Sequence, residues 1–407
     1  MSRSEPLRVA ILATHPIQYQ VPLWRKLAAS GEFDVHVFYG SDISVRGYRD
    51  EGFGVNVSWD VPLTEGYAHT FLSLDASLQR VSFWYPRAVK LQERLRDFRP
   101  QVVLHTAYNS LFWIEALRVA RSLDVPVVMR HEASDEAVSR SALKSFMRDQ
   151  GLRYLYSHVR QFAAIGINAR KHLQRLGIPS GKIGWSPYCV DSDLMEQQVI
   201  KWRHQRAALR TQLKIKAEDY ALIFAGKLTA KKQPLLIISA IESLPPMIRE
   251  RIHLIVLGDG ELRAPLEVKG SKVLGGRLHM AGFVNQTGMG HWYAAADCLV
   301  LPSSKGAGET WGLVVNEALQ FGLPAIVSDG VGCRSDLIDI NVGRVFNSDS
   351  ATDFARAVTE VLLDVLRNRD SCNELCRQKV SHYSLTAAAD GLAAALNKAA
   401  KAALLTH

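Results

Sequence analysis

Residues 300–329 read VLPSSKGAGETWGLVVNEALQFGLPAIVSD, and this stretch decides the fold. Val300 and Leu301 close an apolar run of strand character, and residues 324–327 open another. Between them lie a glycine-rich loop (Gly306, Gly308) and a helical segment, residues 313–320, which Gly322 stops. Such a strand–loop–helix–strand unit belongs to a parallel sheet and sets its loop at the carboxyl edge, where ligands bind. Glu309 in the loop and Glu317 in the helix would lie roughly 12 Å apart if the segment were helical throughout. Free N–H groups and the positive dipole end at the helix start, near Trp311, Gly312 and Leu313, suit an anion. Hydroxyls donate to carboxylates, so the order carboxylate, anion site, carboxylate matches a sugar, a diphosphate and a ribose. An isolated pair of glutamates at this spacing is ordinarily a solvated helix surface. The flanking strands argue otherwise.

Other strand ends repeat the plan upstream. Residues 224–232, FAGKLTAKK, and 254–260, LIVLGDG, each run from apolar residues into glycine. Residues 281–284 (AGFV), 293–297 (YAAAD) and 301–303 (LPS) follow in order. Together with E-x7-E, this series resembles the retaining GT-B glycosyltransferases, the "group 1" family that uses nucleotide-sugar donors. The likeness covers most of residues 221–330 and is looser before them. It implies an α/β chain of two Rossmann-like domains facing across a cleft, with a C-terminal helix returning to the N-terminal domain.

The resemblance also implies roles. Glu317 would hold the ribose hydroxyls and Glu309 the donor-sugar hydroxyls, with backbone N–H groups of Thr310, Trp311, Gly312 and Leu313 on sugar and phosphate. Val284 would lie by the nucleotide base. Lys227 and Lys232 would clamp the diphosphate, whose charge grows as the sugar leaves. Arginine is usual at position 227, and lysine keeps the charge while losing the bidentate fork. Lys231 is expected to be solvated. Catalytic work would fall to Glu309 and Lys232, with His131 at a position where the family often has an active-site histidine. No metal and no cofactor are expected, since the lysines and the helix end replace a divalent cation.

Composition agrees with two globular domains. The chain has 407 residues, 47% hydrophobic and 22% charged, enough for two cores and too apolar for extensive disorder. We place the domains at residues 1–190 and 191–407, with a charged helical connection at 192–220. Expected strands lie at 7–13, 34–38, 102–105, 125–129 and 162–167, then at 221–225, 253–257, 277–280, 298–301 and 325–327. Residues 385–405 are Ala/Leu-rich and should be helical. Five scattered cysteines and no signal-peptide plan at the start point to the reducing cytoplasm.

The net charge of +9 calls for anionic partners. Nucleic acid is not expected, because no basic arm, zinc module or aromatic RNA motif accompanies the charge. A nucleotide-sugar donor and a glycan or lipid-linked acceptor account for it. Arg140, Lys144 and Arg148 recur every four residues beside Leu143, Phe146 and Met147. By default this is a solvated helix face. A lipid-linked acceptor would make it a contact with the anionic inner face of a membrane.

In the first half, residues 14–20 (THPIQYQ) link the first strand to a helix without G-x-G-x-x-G, which argues against a dinucleotide site. His15, Gln18 and Tyr19 could there touch acceptor or donor sugar. His105 is expected to be structural. The rivals to transfer are a nucleotide-sugar 2-epimerase of the same fold, which needs acid–base carboxylates and histidines along the cleft, and a catalytically silent binding subunit.

Overall fold

The computed structural model describes residues 5–404 apart from 76 and 79. Residues 1–4 of the expected leader-free start, and residue 405 of the expected last helix, lie outside the described residues. The strands are β1 (Leu7–Ala13), β2 (Phe33–Tyr39), β3 (Tyr48–Asp50), β4 (Val55–Val57), β5 (Ala68–Phe71), β6 (Val102–His105), β7 (Val127–His131), β8 (Gln161–Ala164) and β9 (Ile183–Trp185). They continue as β10 (Tyr220–Ala225), β11 (Ile252–Leu257), β12 (Leu278–Gly282), β13 (Cys298–Leu301), β14 (Ala325–Ser328) and β15 (Gly343–Phe346).

Two parallel sheets result, in the orders β5-β2-β1-β6-β7-β8-β9 and β12-β11-β10-β13-β14-β15, and β3–β4 is a separate antiparallel hairpin. Strands such as β11 and β13 are buried along their whole length, which is why they read as unbroken apolar runs rather than alternating ones. In each sheet the strand order reverses at one place, between β1 and β6 and between β10 and β13. There the loops leave in opposite directions and open a crevice at the carboxyl edge. The two crevices face each other.

The C-terminal helix Leu385–Leu404 belongs to the first sheet in space. Its Leu392 and Leu396 share an apolar cluster with Trp24 and Leu27 of the helix Val21–Ala29. Gly391 lies so close to the first sheet that a Cβ there would fall 1.8 Å from the Trp185 carbonyl oxygen. The connection expected at 192–220 is helical over Ser192–Trp202 and Arg206–Gln212. Arg206, Arg210 and Arg369 converge on the buried Asp297, fixing it to the second sheet.

Some expectations shift. The strand expected at 125–129 runs from Val127 to His131, and the one expected at 162–167 ends at Ala164, so that Ile167 already begins a helix. The strands β3, β4, β5, β9 and β15 were not expected. They are three or four residues each, with little continuous apolar character.

Candidate active site

The second-domain wall of the cleft is built by the loops after β10 and β13. Gly226 and Gly258 bring the β10 and β11 loops into backbone contact, a Cβ at Gly258 falling 1.9 Å from the Gly226 carbonyl oxygen. After β13 the chain makes the loop that holds Glu309, then turns at Gly312 (φ +104°) into the helix Val314–Gln320. The segment from Glu309 to Glu317 is therefore not helical throughout, and the 12 Å estimate does not apply. The helix has seven residues, under two turns, so its dipole is small and more of an anion's charge falls to lysines.

Lys232, in the short turn Ala230–Lys232 after β10, forms an ion pair with Glu309, whose Oε2 also accepts from the Ser303 hydroxyl at 3.1 Å. Burial alone would raise the Glu309 carboxyl. The Lys232 ammonium, with Lys231 and Ser303, holds it below the usual carboxylate range. Lys231 is not solvated as expected. It is half-buried and donates to the Gly308 carbonyl at 3.0 Å, bracing the same loop.

Lys227 parts from this pair. Its ammonium lies 2.7 and 2.8 Å from the two carboxylate oxygens of Asp50, at the end of β3, and 5.0 Å from the Phe53 ring centre. The β3–β4 hairpin of the first domain thus reaches the second. Phe53 and Trp59 pack edge-on against Phe283, and Thr287 N donates to Asp60 at 3.1 Å. Val284, next to Phe283, is partly buried against the apolar core.

Glu317 is buried on the helix Val314–Gln320 and accepts from the Tyr293 hydroxyl at 2.7 Å. Burial pushes its carboxyl up to about 7. Trp311 is 3% exposed, with Nε1 on Asn316 Oδ1 at 2.8 Å and its ring against Tyr188 and Tyr383. Its side chain is core, which leaves only backbone for a ligand.

The opposite wall carries His131, the last residue of β7 rather than one beyond it. Burial holds its imidazole well below its usual range, so it is neutral, and neither ring nitrogen has a partner among the described residues. His172 stacks on it at 5.4 Å. His131, Tyr108, Gly308 and Thr310 line one cavity of about 270 Å³, so the expected histidine and the Glu309 loop do meet.

His15 follows β1, with Nδ1 2.9 Å from the Thr14 hydroxyl, and burial lowers its pKa to about 4. It lines a cavity of about 480 Å³ with Asp50 and Lys227, and a second of about 410 Å³ with Tyr19, Asn109, Trp113 and Glu132. Gln18 does not line either cavity; the turn sends Ile17, Tyr19 and Gln20 to the second one instead. His105 is buried against Trp113, as expected of a structural residue. Sequence reasoning missed Asp50 and Glu132. Glu132 accepts from the Tyr188 hydroxyl at 3.1 Å, burial raises its carboxyl, and it lines the cavities of both His15 and His131. Its one sequence signal is its place next to His131 at a strand end.

The model of "Glycosyl transferases group 1" matches residues 205–378, and that of "Glycosyltransferase Family 4" matches residues 23–194. The chain belongs to the group 1 glycosyltransferases. A D-inositol 3-phosphate glycosyltransferase of Xylanimonas cellulosilytica is 28% identical over 187 residues, 44% of this chain and 42% of that relative. The match thus spans less than half the length of this curated relative. Among solved structures, HepE of Anabaena in complex with UDP aligns with a TM-score of 0.70 at 14% identity, over 96% of this chain and 100% of that one. Sucrose-phosphate synthase of Thermosynechococcus elongatus aligns at 0.68 and 17% identity, over 95% and 97%. At such identities the likeness is of fold, and the fold is GT-B. Within this group 1 member the E-x7-E glutamates occupy two different environments, one charged and paired with lysine, the other buried with its carboxyl raised to about 7.

Proposed function

We propose that the chain transfers a sugar from a nucleoside-diphosphate donor to a hydroxyl of a glycan or lipid-linked glycan, with retention of anomeric configuration and without a metal. The observation that carries this is the Lys232–Glu309 pair at the β10/β13 crevice, in a loop whose Gly308 and Thr310 line one cavity with His131. In the step, the bond from the anomeric carbon to the diphosphate oxygen breaks and its electron pair goes to that oxygen. The acceptor hydroxyl bonds to the carbon on the same face, and its proton passes to the departing phosphate. Lys232 stabilises the charge that grows there, and such preorganised stabilisation is worth most in a partly buried site. Glu309, kept ionised by Lys232, accepts from sugar hydroxyls, while neutral His131 adds no charge to the wall of the adjoining cavity. Glu317 would accept from ribose. The UDP carried by the HepE fold neighbour favours a uridine donor.

A second reading has one observation in its favour. Glu132 lies between His15 and His131, the acid–base set that a nucleotide-sugar 2-epimerase would need. A silent binding subunit has none, since Glu309, Glu317 and Lys232 are all present.

A thermal-shift series with UDP-, GDP- and ADP-sugars tests donor binding, a ligand at 100 times its Kd adding ~2.7 kcal/mol. Incubation of the stabilising donor with and without acceptor then separates the two reactions. Transfer gives nucleoside diphosphate only when acceptor is present. An epimerised nucleotide sugar formed without acceptor would overturn the assignment, as would no stabilisation by any nucleotide sugar.

A further inference from the structure

The helix Ala142–Ser157 presents its apolar side chains to solvent. Leu143, Phe146, Met147 and Tyr154 are 70%, 61%, 66% and 69% exposed. At about 100° per residue these four fall on one stripe about 100° wide. Asp149, Leu152 and Tyr156, the buried residues of the helix, fall on the opposite side. The stripe is therefore not a misjudged core face. The helix already has its core contact and carries a second apolar face outward. Large apolar side chains gathered in this way mark an interaction site rather than ordinary surface.

Charge around the stripe specifies what it meets. Lys144 flanks it on one side and Arg153 on the other, both exposed and neither in an ion pair among the described residues. Arg140 stands exposed just before the helix. The nearby acids are all engaged: Asp149 is buried on Arg175, Asp135 binds Arg175 and His172, and Glu136 binds Arg334. Arg148 differs from the sequence expectation. Its guanidinium turns inward to the Tyr108 hydroxyl at 2.9 Å and lies 3.6 Å from Asp149, so it leaves the stripe.

We infer that the outward face of Ala142–Ser157 docks on an anionic membrane surface. Its apolar side chains enter the boundary between headgroups and acyl chains, and Lys144, Arg153 and Arg140 meet lipid phosphates. A protein groove would suit the four apolar residues, but the acid-free cationic border matches a negative sheet of charge. Docking here also sets the cleft at the membrane. The segment before the helix crosses to the second domain, Gly308 N donating to the Ala137 carbonyl at 2.6 Å and Val138 pairing with Ala307. An acceptor held in the bilayer would thus enter beside the Glu309 loop. The docking itself does not depend on which acceptor is used.

The test is co-sedimentation of the full chain with phosphatidylglycerol/phosphatidylcholine vesicles and with pure phosphatidylcholine, at low and high salt. Expected is binding to the anionic vesicles that weakens with salt, and little binding to the neutral ones. Lys144→Glu with Arg153→Glu should lower the partition coefficient ~30-fold or more, at about a factor of five per charge removed. Leu143→Ser, Phe146→Ser and Met147→Ser together should lower it at least ~10-fold. Unchanged melting temperature and donor-induced stabilisation would show the variants folded. If the triple variant fails to fold, the charge pair, at exposed positions, decides alone. No partition of wild type into anionic vesicles, or equal partition of wild type and folded variants, overturns the inference. So does a concentration-dependent dimer that Phe146→Ser breaks, which would make the stripe a contact between two copies.

Discussion

The Lys227 ammonium rests between both carboxylate oxygens of Asp50, 177 residues earlier and in the other domain. A lysine expected to meet the donor diphosphate is thus already neutralised by an acid from across the cleft. A diphosphate must compete with Asp50 or displace it. Lys227 is 40% exposed, so the pair is worth only ~0.5–1 kcal/mol. Asp50→Asn should therefore lower the donor Kd about two- to fivefold in calorimetry. A weaker affinity in a folded Asp50→Asn variant would mean that Asp50 holds the donor site in shape rather than competing for it.

Lys232 faces a different balance, because Glu309 holds it inside the site and not across it. Lys232→Ala should reduce kcat by ~10²-fold while donor affinity changes far less, since leaving-group charge is largest in the transition state. The same change strands a buried carboxylate, at a cost of several kcal/mol. Glu309 would then titrate upward, and Tm would fall more at pH 8 than at pH 5. Equal losses in kcat and affinity would assign Lys232 to ground-state binding.

Glu317 makes stability depend on pH in the unusual direction. Its carboxyl is raised from an ordinary 4.5 to about 7 by burial, so the folded state holds a proton that the unfolded state has lost. Folded protein binds more protons between those values, and stability falls as pH rises through that window. At about 1.4 kcal/mol per pH unit the whole effect reaches roughly 3 kcal/mol. Glu317→Gln keeps the Tyr293 contact without the ionisation. It should be the more stable form at pH 8 and close to wild type at pH 4.5, while binding donor more weakly. Denaturant unfolding of both proteins across this range checks it, the difference cancelling other raised acids such as Asp336 and Glu132.

How much of this could be read beforehand depends on whether the signal was local. The β13–loop–helix–β14 unit was legible because buried parallel strands are unbroken apolar runs and glycines punctuate the turns. Lys232 and Glu309 could be placed at one crevice for the same reason, as both follow adjacent strands. Asp50 could not. It lies on a three-residue strand of YRD, and its partner is in the other domain. Glu132 owes its place to the approach of Tyr188, which no spacing records. The stripe Arg140, Lys144, Arg148 failed through geometry: each step of four residues drifts about 40° around a helix of 3.6 per turn. Arg140 precedes the helix, and from Lys144 one such step already turns Arg148 to Tyr108 instead of solvent. Leu143, Phe146 and Met147 were visible as apolar, but sequence alone gives no hint that a second face of the same helix is already buried.

Gly391 tests the return of the last helix. In an ordinary exposed helix, Gly→Ala adds ~0.5–1 kcal/mol of stability, and an Ala-rich sequence invites that expectation here. The structure reverses the sign. A Cβ at this position falls 1.8 Å from the Trp185 carbonyl oxygen and 2.9 Å from its carbonyl carbon, backbone that cannot swing aside. Ser186 Oγ donates to the Ala388 carbonyl one turn away at 2.8 Å, so the helix cannot lift locally without breaking that bond. Gly391→Ala should destabilise by ~1–3 kcal/mol or more, as overpacking does. Ala394→Gly, on the same helix at an exposed position, should destabilise only by the ~1 kcal/mol of helix propensity. The first domain, which the helix covers, should lose protection in hydrogen exchange before the second. If Gly391→Ala melts at or above the wild-type temperature, the helix does not pack against β9 as closely as described.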